Sequence, residues 1–178
     1  MMKTRIKALL VVATVFVTLI CGCSRNKPDD PVTLDTVNQS SVNVSEGFFQ
    51  SVFTEDKELF AACFPESFTE DTGSVDAMYE GFQGTLADGY SYEGATMSAY
   101  NDYVEEDGYD LTSLKSDVSA LHNIAEEDIE EAQIVKLRLF FNTVDDGEAT
   151  MDVYILVYKA DSSWYVFELQ NSDAEFAA

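Results

Sequence analysis

Between Val135 and Leu169 the chain alternates apolar and polar residues through three successive runs. A period of two over that length commits the C-terminal third to antiparallel β-structure. Val135, Leu137, Leu139 and Phe141 alternate with Lys136, Arg138, Phe140 and Asn142. Asp145-Asp146-Gly147 supplies a hairpin turn, and Met151, Val153, Ile155 and Val157 then resume the alternation. Ala160-Asp161-Ser162 turns the chain into Trp164-Tyr165-Val166-Phe167-Glu168-Leu169. The expectation is a three-stranded meander that buries Trp164 in its closing strand. A sheet with one apolar face needs helices to cover it.

The preceding residues supply those helices. From Ser45 to Phe64, the residues Phe48, Phe49, Val52, Phe53, Leu59, Phe60 and Cys63 fall on one broad helical face, with Ser45 as N-cap. A continuous helix would set Asp56 in the middle of that stripe, and burying an unpaired carboxylate costs too much. The cheaper solution is a break between Thr54 and Asp56, with one of them capping a second short helix that ends before Pro65. A carboxylate acting in a pocket is the sharper alternative for Asp56. Ser74 to Leu86 repeats the helical period behind Thr72-Gly73-Ser74, Gly89 to Val104 reads as extended, and Asp110 to Asn123 is helical again. Helices first and a meander last give an α+β domain over residues 45–170. Its N-terminal helices pack on one face of a curved C-terminal antiparallel sheet, and residues 171–178 form a tail.

The N-terminus has a different logic. Lys3, Arg5 and Lys7 precede an apolar run from Ala8 to Ile20, after which the chain turns abruptly polar. That run is shorter than the ~20 residues a spanning helix needs, so an export signal fits better than an uncleaved membrane anchor. Ile20-Cys21-Gly22-Cys23 resembles the lipobox of bacterial lipoproteins. The resemblance implies cleavage before Cys23, a diacylglyceryl thioether on its sulfur, and an extracytoplasmic protein anchored to the cell membrane by lipid. Cys21 fits worse, because bulky Leu19 and Ile20 precede it. Residues 1–22 are thus expected to be a signal peptide. Residues 23–44, rich in Ser, Asn, Asp, Pro and Thr, are expected to be a flexible tether.

Loss of the first 22 residues removes three of the ten cations and none of the 33 acids, leaving 156 residues with a formal charge of −26. So acidic a chain excludes nucleic acid as a partner, since phosphate backbones are bound through Lys and Arg. Anionic headgroups repel it as well, so the lipid must do the anchoring. Solubility or a salty habitat is the favoured account of the acidity itself. Within the folded part Cys63 is the single thiol, and Leu59-Phe60-Ala61-Ala62 precede it. A monomer with a buried structural cysteine and no disulfide follows.

Sites of chemistry are sparse. His122 stands near a helix end with no partner at metal or triad spacing, and a solvated imidazole is expected there. Calcium-loop spacing fails around Gly108 and Gly147, although Asp102 to Asp110 is acidic enough to hold a cation weakly. Lys136 and Arg138 share a strand face with Phe140, where they could orient an anion or pair with nearby acids. No residue is assigned to catalysis, a cofactor or a metal. The assigned site is Cys23, for lipidation.

Asp56-Lys57-Glu58-Leu59-Phe60, the following Pro65, and the closing hairpin with Tyr158-Lys159 and Trp164-Tyr165-Val166 carry one further likeness. Together they resemble the cystatin-like, nuclear-transport-factor-like lipoproteins of Gram-positive bacteria, many known only as domains of unknown function. The resemblance covers roughly Ser45 to Leu169 and implies a cone-shaped pocket between sheet and helices. That fold hosts isomerases, dehydratases and plain binding modules. The expected function is a lipid-anchored, extracytoplasmic binding or envelope-associated module without catalysis, meeting a small molecule, peptide or envelope protein. The alternative is an isomerase- or dehydratase-like enzyme using a pocket carboxylate such as Asp56 with a tyrosine donor.

Overall fold

The computed structural model describes residues 31–70, 72–86, 90–102, 111–143 and 148–170. Four helices come first: α1 (Ser41–Phe53), α2 (Lys57–Ala62), α3 (Glu66–Thr69) and α4 (Thr72–Leu86). Strand β1 (Tyr90–Asp102), helix α5 (Leu111–His122) and strands β2 (Ile129–Thr143), β3 (Glu148–Ala160) and β4 (Ser163–Gln170) follow. The strands form one antiparallel sheet in the order β1-β2-β3-β4, curled into a half-barrel behind the helices. This is the α+β, cystatin-like cone expected, with β1 added as a fourth strand beside the meander.

Alternation sets the register. Val135 lies opposite Ile155, Leu137 opposite Val153, Leu139 opposite Met151 and Phe141 opposite Ala149, so both strands turn the same apolar set inward. Asp161 and Ser162, both left-handed at φ 50° and 66°, form the tight connection from β3 to β4. Two such residues in succession match the twist of a two-residue hairpin. Trp164 is buried, as the closing strand requires. The turn expected at Asp145 to Gly147 lies outside the described residues.

In the hollow of the sheet, α1, α2 and α4 bring together a cluster of aromatic rings. Phe48 lies 5.2 Å from Phe49, 5.3 Å from Phe60 and 5.2 Å from Phe82, and Phe60 lies 5.1 Å from Tyr79. Offset and edge contacts at such distances each add about 0.5–1.5 kcal/mol beyond the area they bury. Cys63 is buried in this core and its thiol donates to the Leu59 carbonyl. Its backbone carbonyl accepts from Val166 N–H at 2.9 Å, closing part of the exposed edge of β4.

Helix α1 begins earlier than Ser45. Ser40 is the N-cap, accepting from the Asn43 N–H at 3.0 Å, while Ser45 is buried and donates to the Ser41 carbonyl. The extra turn lets Val44 line up one turn before Phe48 on the buried face. The folded region also starts earlier than the expected tether allows. Val32 and Val37 are buried in the main core, and the Gln50 amide holds Val32 by two 2.9 Å hydrogen bonds, one to its N–H and one to its carbonyl. Gly47 makes the crossing possible: a Cβ there would stand 2.8 Å from Val37 Cγ2 and 3.2 Å from Val32 Cγ1.

The sheet is not covered on one face alone. Leu114 and Val118 of α5 join Ala132, Ile134, Leu156, Tyr158 and Ala160 in a second cluster on the opposite face. At this end of the sheet residues of both parities are apolar, because each face has a helix to meet. Asp110, the first residue of the expected helix, lies outside the described residues.

Candidate functional site

Asp56, the carboxylate singled out by its place in the apolar stripe, is exposed and caps a helix. Its Oδ1 accepts from the Leu59 N–H at 2.9 Å, satisfying one of the donors left open at the start of α2. The break before it has its own construction. Glu55 is left-handed at φ 61°, and the Asp56 N–H reaches back to the Ser51 carbonyl at 2.9 Å, ending α1 in the manner usually given to glycine. Two caps back to back thus turn the stripe without burying the acid.

His122 is the clearest correction. It is 1 % exposed rather than solvated, with Nδ1 2.7 Å from the Tyr158 hydroxyl. The rings of Phe68, Phe64 and Phe167 lie 4.6, 6.2 and 5.7 Å from the imidazole. Ser67 Oγ donates to the His122 carbonyl, tying α3 to the end of α5. Burial lowers the His122 pKa to about 4, and burial likewise raises that of Tyr158, so both are neutral near pH 7. A neutral pair that joins the helices to the sheet is a structural feature.

Lys136 and Arg138 converge on Asp152. Arg138 grips it through Nε at 2.7 Å and a terminal nitrogen at 2.9 Å, and Lys136 Nζ lies at 3.3 Å. Burial pushes the Asp152 carboxyl up, but Arg138 and then Lys136 outweigh it and hold the group below the usual carboxylate range. Of the two roles open to these cations, the structure has the pairing with an acid. Cys63 is buried, and burial pushes its thiol far up, away from a thiolate nucleophile. Cys23 and the expected signal segment lie outside the described residues, as do residues 103–110 of the acidic stretch Asp102 to Asp110. Among the described residues no group of three or more His, Cys, Asp and Glu could hold a metal ion.

A pocket of about 200 Å³ opens between α1 and β1, at a place the sequence did not mark. Glu46, Gln50 and Thr54 line one wall at successive helical turns, Pro31 and Val32 the second, and Tyr92, Glu93, Gly94 and Ala95 the third. Consecutive strand residues share that wall because the register shifts between Tyr92 and Gly94, and Gly94 takes φ 148°. Such a bulge re-aims side chains that would otherwise alternate. Glu46 is 6 % exposed. Tyr92 stacks on Phe53 with centroids 5.7 Å apart and planes within 4°. Burial first, and the charge of Glu46 second, raise the Tyr92 hydroxyl pKa, which keeps it protonated. Glu93 at the rim accepts from the Asn142 side-chain amide. The legible signal for this wall was the Glu46, Gln50, Thr54 row beside the apolar stripe, a pattern that a solvated helix flank shares.

Comparison with family models, curated proteins and solved structures gives no significant match for this chain.

Proposed function

We propose that this chain is a non-catalytic binding module, held on the extracytoplasmic face of the cell membrane by a lipid on Cys23. The capping role of Asp56 carries the first half of the reading. The carboxylate that would serve an enzyme in the cone is spent on a helix N-terminus, and the hollow it would face is occupied by Phe48, Phe60, Tyr79 and Phe82. Recognition then belongs to the rim of the cone, where a small molecule, a peptide or an envelope protein can be met without chemistry.

The export signal and the Ile20-Cys21-Gly22-Cys23 segment support the anchor. Only the eight residues 24–31 separate Cys23 from the clamped Val32. As flexible coil they would span roughly 16 Å. The domain is thus expected to sit close to the bilayer, with its acidity opposing direct adsorption.

An enzyme that pairs a carboxylate with a tyrosine donor is the second reading, and the adjacency of buried Glu46 and Tyr92 is what favours it. A denaturation series at Asp56 tests the first. Asp56→Asn is expected to leave stability nearly unchanged and Asp56→Ala to cost about 1 kcal/mol, because Asn keeps the capping acceptor. A clearly stabilised Asn variant would mean a strained functional carboxylate and would shift the reading to the enzyme.

A further inference from the structure

We infer that α5 is an acid-released cover, a helix that leaves the outer face of the sheet when His122 takes up a proton, while the main core stays folded. The inference goes beyond the binding-module reading and does not depend on it. It starts from how the two faces of the sheet are packed. Phe48, Phe60 and Val166 belong to the main cluster, whereas Leu114 and Val118 of α5 belong to a separate one with Ile134, Leu156 and Tyr158. Among the described residues of α5, the buried side chains are Leu114, Val118 and His122. A helix held by so small an apolar patch opens at lower cost than the core, and its departure leaves the inner-face helices in place.

Of the three, His122 ties α5 in two directions. Its Nδ1 meets the Tyr158 hydroxyl of β3 at 2.7 Å, and its backbone carbonyl accepts from Ser67 Oγ of α3. The helix ends there, because Asn123 is left-handed at φ 55° and its N–H is bonded to the Ser119 carbonyl at 3.0 Å. The end of α5 therefore lifts only if His122 leaves its ring of aromatic side chains.

Among the described residues no carboxylate faces the imidazole. Its neighbours are Phe64, Phe68, Phe167 and Tyr158, with Tyr165 5.8 Å from the Tyr158 ring. Burial raises the Tyr158 hydroxyl pKa, so that group is neutral too. The charged groups of the surrounding elements stand outside this ring. Glu66 and Glu70 of α3, Asp117 of α5, Glu168 of β4, and Glu126, Glu127 and Asp128 beyond α5 are exposed. Lys115 is half-buried, and Lys159 of β3 is paired with Glu130 and Glu131. Burial is what lowers the His122 pKa, to about 4, whereas an imidazole lifted into water takes a proton near 6.5. Between those values the open form binds the proton and the closed form does not, so each unit of acid multiplies the open population about tenfold.

Hydrogen exchange of the full-length chain in neutral detergent, read by mass spectrometry from pH 7 to pH 4.5 and corrected for the intrinsic pH dependence of exchange, tests this. Opening of the α5 amides is expected to rise about 50-fold over that range, with α5 less protected than α1 throughout. In His122→Asn the rise should be lost. Protection of α5 equal to that of α1, no rise in the wild type, or a rise that survives in His122→Asn would each overturn the inference. Tyr158→Phe keeps the test decisive should His122→Asn fail to fold, which a thermal melt detects. It removes one tie and leaves the imidazole in place, so α5 protection should fall about fivefold at pH 7 with the same pH dependence. Unchanged protection in Tyr158→Phe would contradict the inference.

Discussion

His122 Nδ1 and the Tyr158 hydroxyl meet at 2.7 Å across the join between α5 and β3, inside a ring of Phe68, Phe64 and Phe167. With its pKa lowered to about 4, the folded imidazole resists protonation, while the unfolded chain takes up a proton near the ordinary value of 6.5. Between those values the unfolded state binds more protons, so stability is full above about pH 6.5 and falls as the pH drops toward 4. The loss approaches about 3 kcal/mol. Denaturant titrations of the wild type and His122→Asn from pH 7 to pH 4 measure it. The variant's curve is expected to be flatter by about that amount, with carboxylate effects cancelling in the difference. Parallel curves would mean that His122 is not buried neutral.

The N-terminal segment offers a second prediction. Gly47→Ala should destabilise by about 1–3 kcal/mol, because the added methyl meets Val37 at 2.8 Å and overpacking outweighs the ~1 kcal/mol that alanine brings to a helix interior. A chain truncated to begin at Asn38 should lose stability against one beginning at Pro31, having lost Val32 and Val37. Equal melting temperatures would return residues 32–37 to the tether.

Glu55 stands where glycine is usual. Glu55→Gly should therefore stabilise the fold by up to about 1 kcal/mol, since only the left-handed strain is relieved and the Asp56 cap remains. Urea denaturation decides it, and a destabilised glycine variant would show that Glu55 has a contact worth more than its strain.

In a chain beginning at Pro31, Cys63 is the one cysteine. Thermal unfolding there should be indifferent to dithiothreitol, and Ellman's reagent should react only after denaturant is added, because the buried thiol is held protonated. Rapid reaction in native buffer would place Cys63 at a surface.

The strands were legible because alternation reports directly on which side of a sheet is buried, and Leu137, Leu139 and Ile155 obey it. The Asp56 break was legible because a buried unpaired carboxylate costs too much, leaving a cap as the remaining solution. What escaped depends on partners distant in sequence. Nothing near His122 announces Tyr158, and the aliphatics at Val32 and Val37 have no period among Thr, Asp and Asn. Glu46 is invisible as a pocket residue for a similar reason. A polar row on a helix flank has the same pattern facing solvent as facing the bulge of β1, and only the packing of the strand distinguishes them.

The anchored module is tested most directly by metabolic labelling with a fatty acid, followed by fractionation of cells carrying the wild type or Cys23→Ala. The wild type is expected to take up label and sediment with the membrane. Cys23→Ala is expected to remain unlabelled and to pass to the medium or persist as uncleaved precursor, since the acidity of the body opposes direct adsorption to anionic headgroups. Continued labelling of Cys23→Ala, with Cys21 as the acceptor, would contradict the assignment.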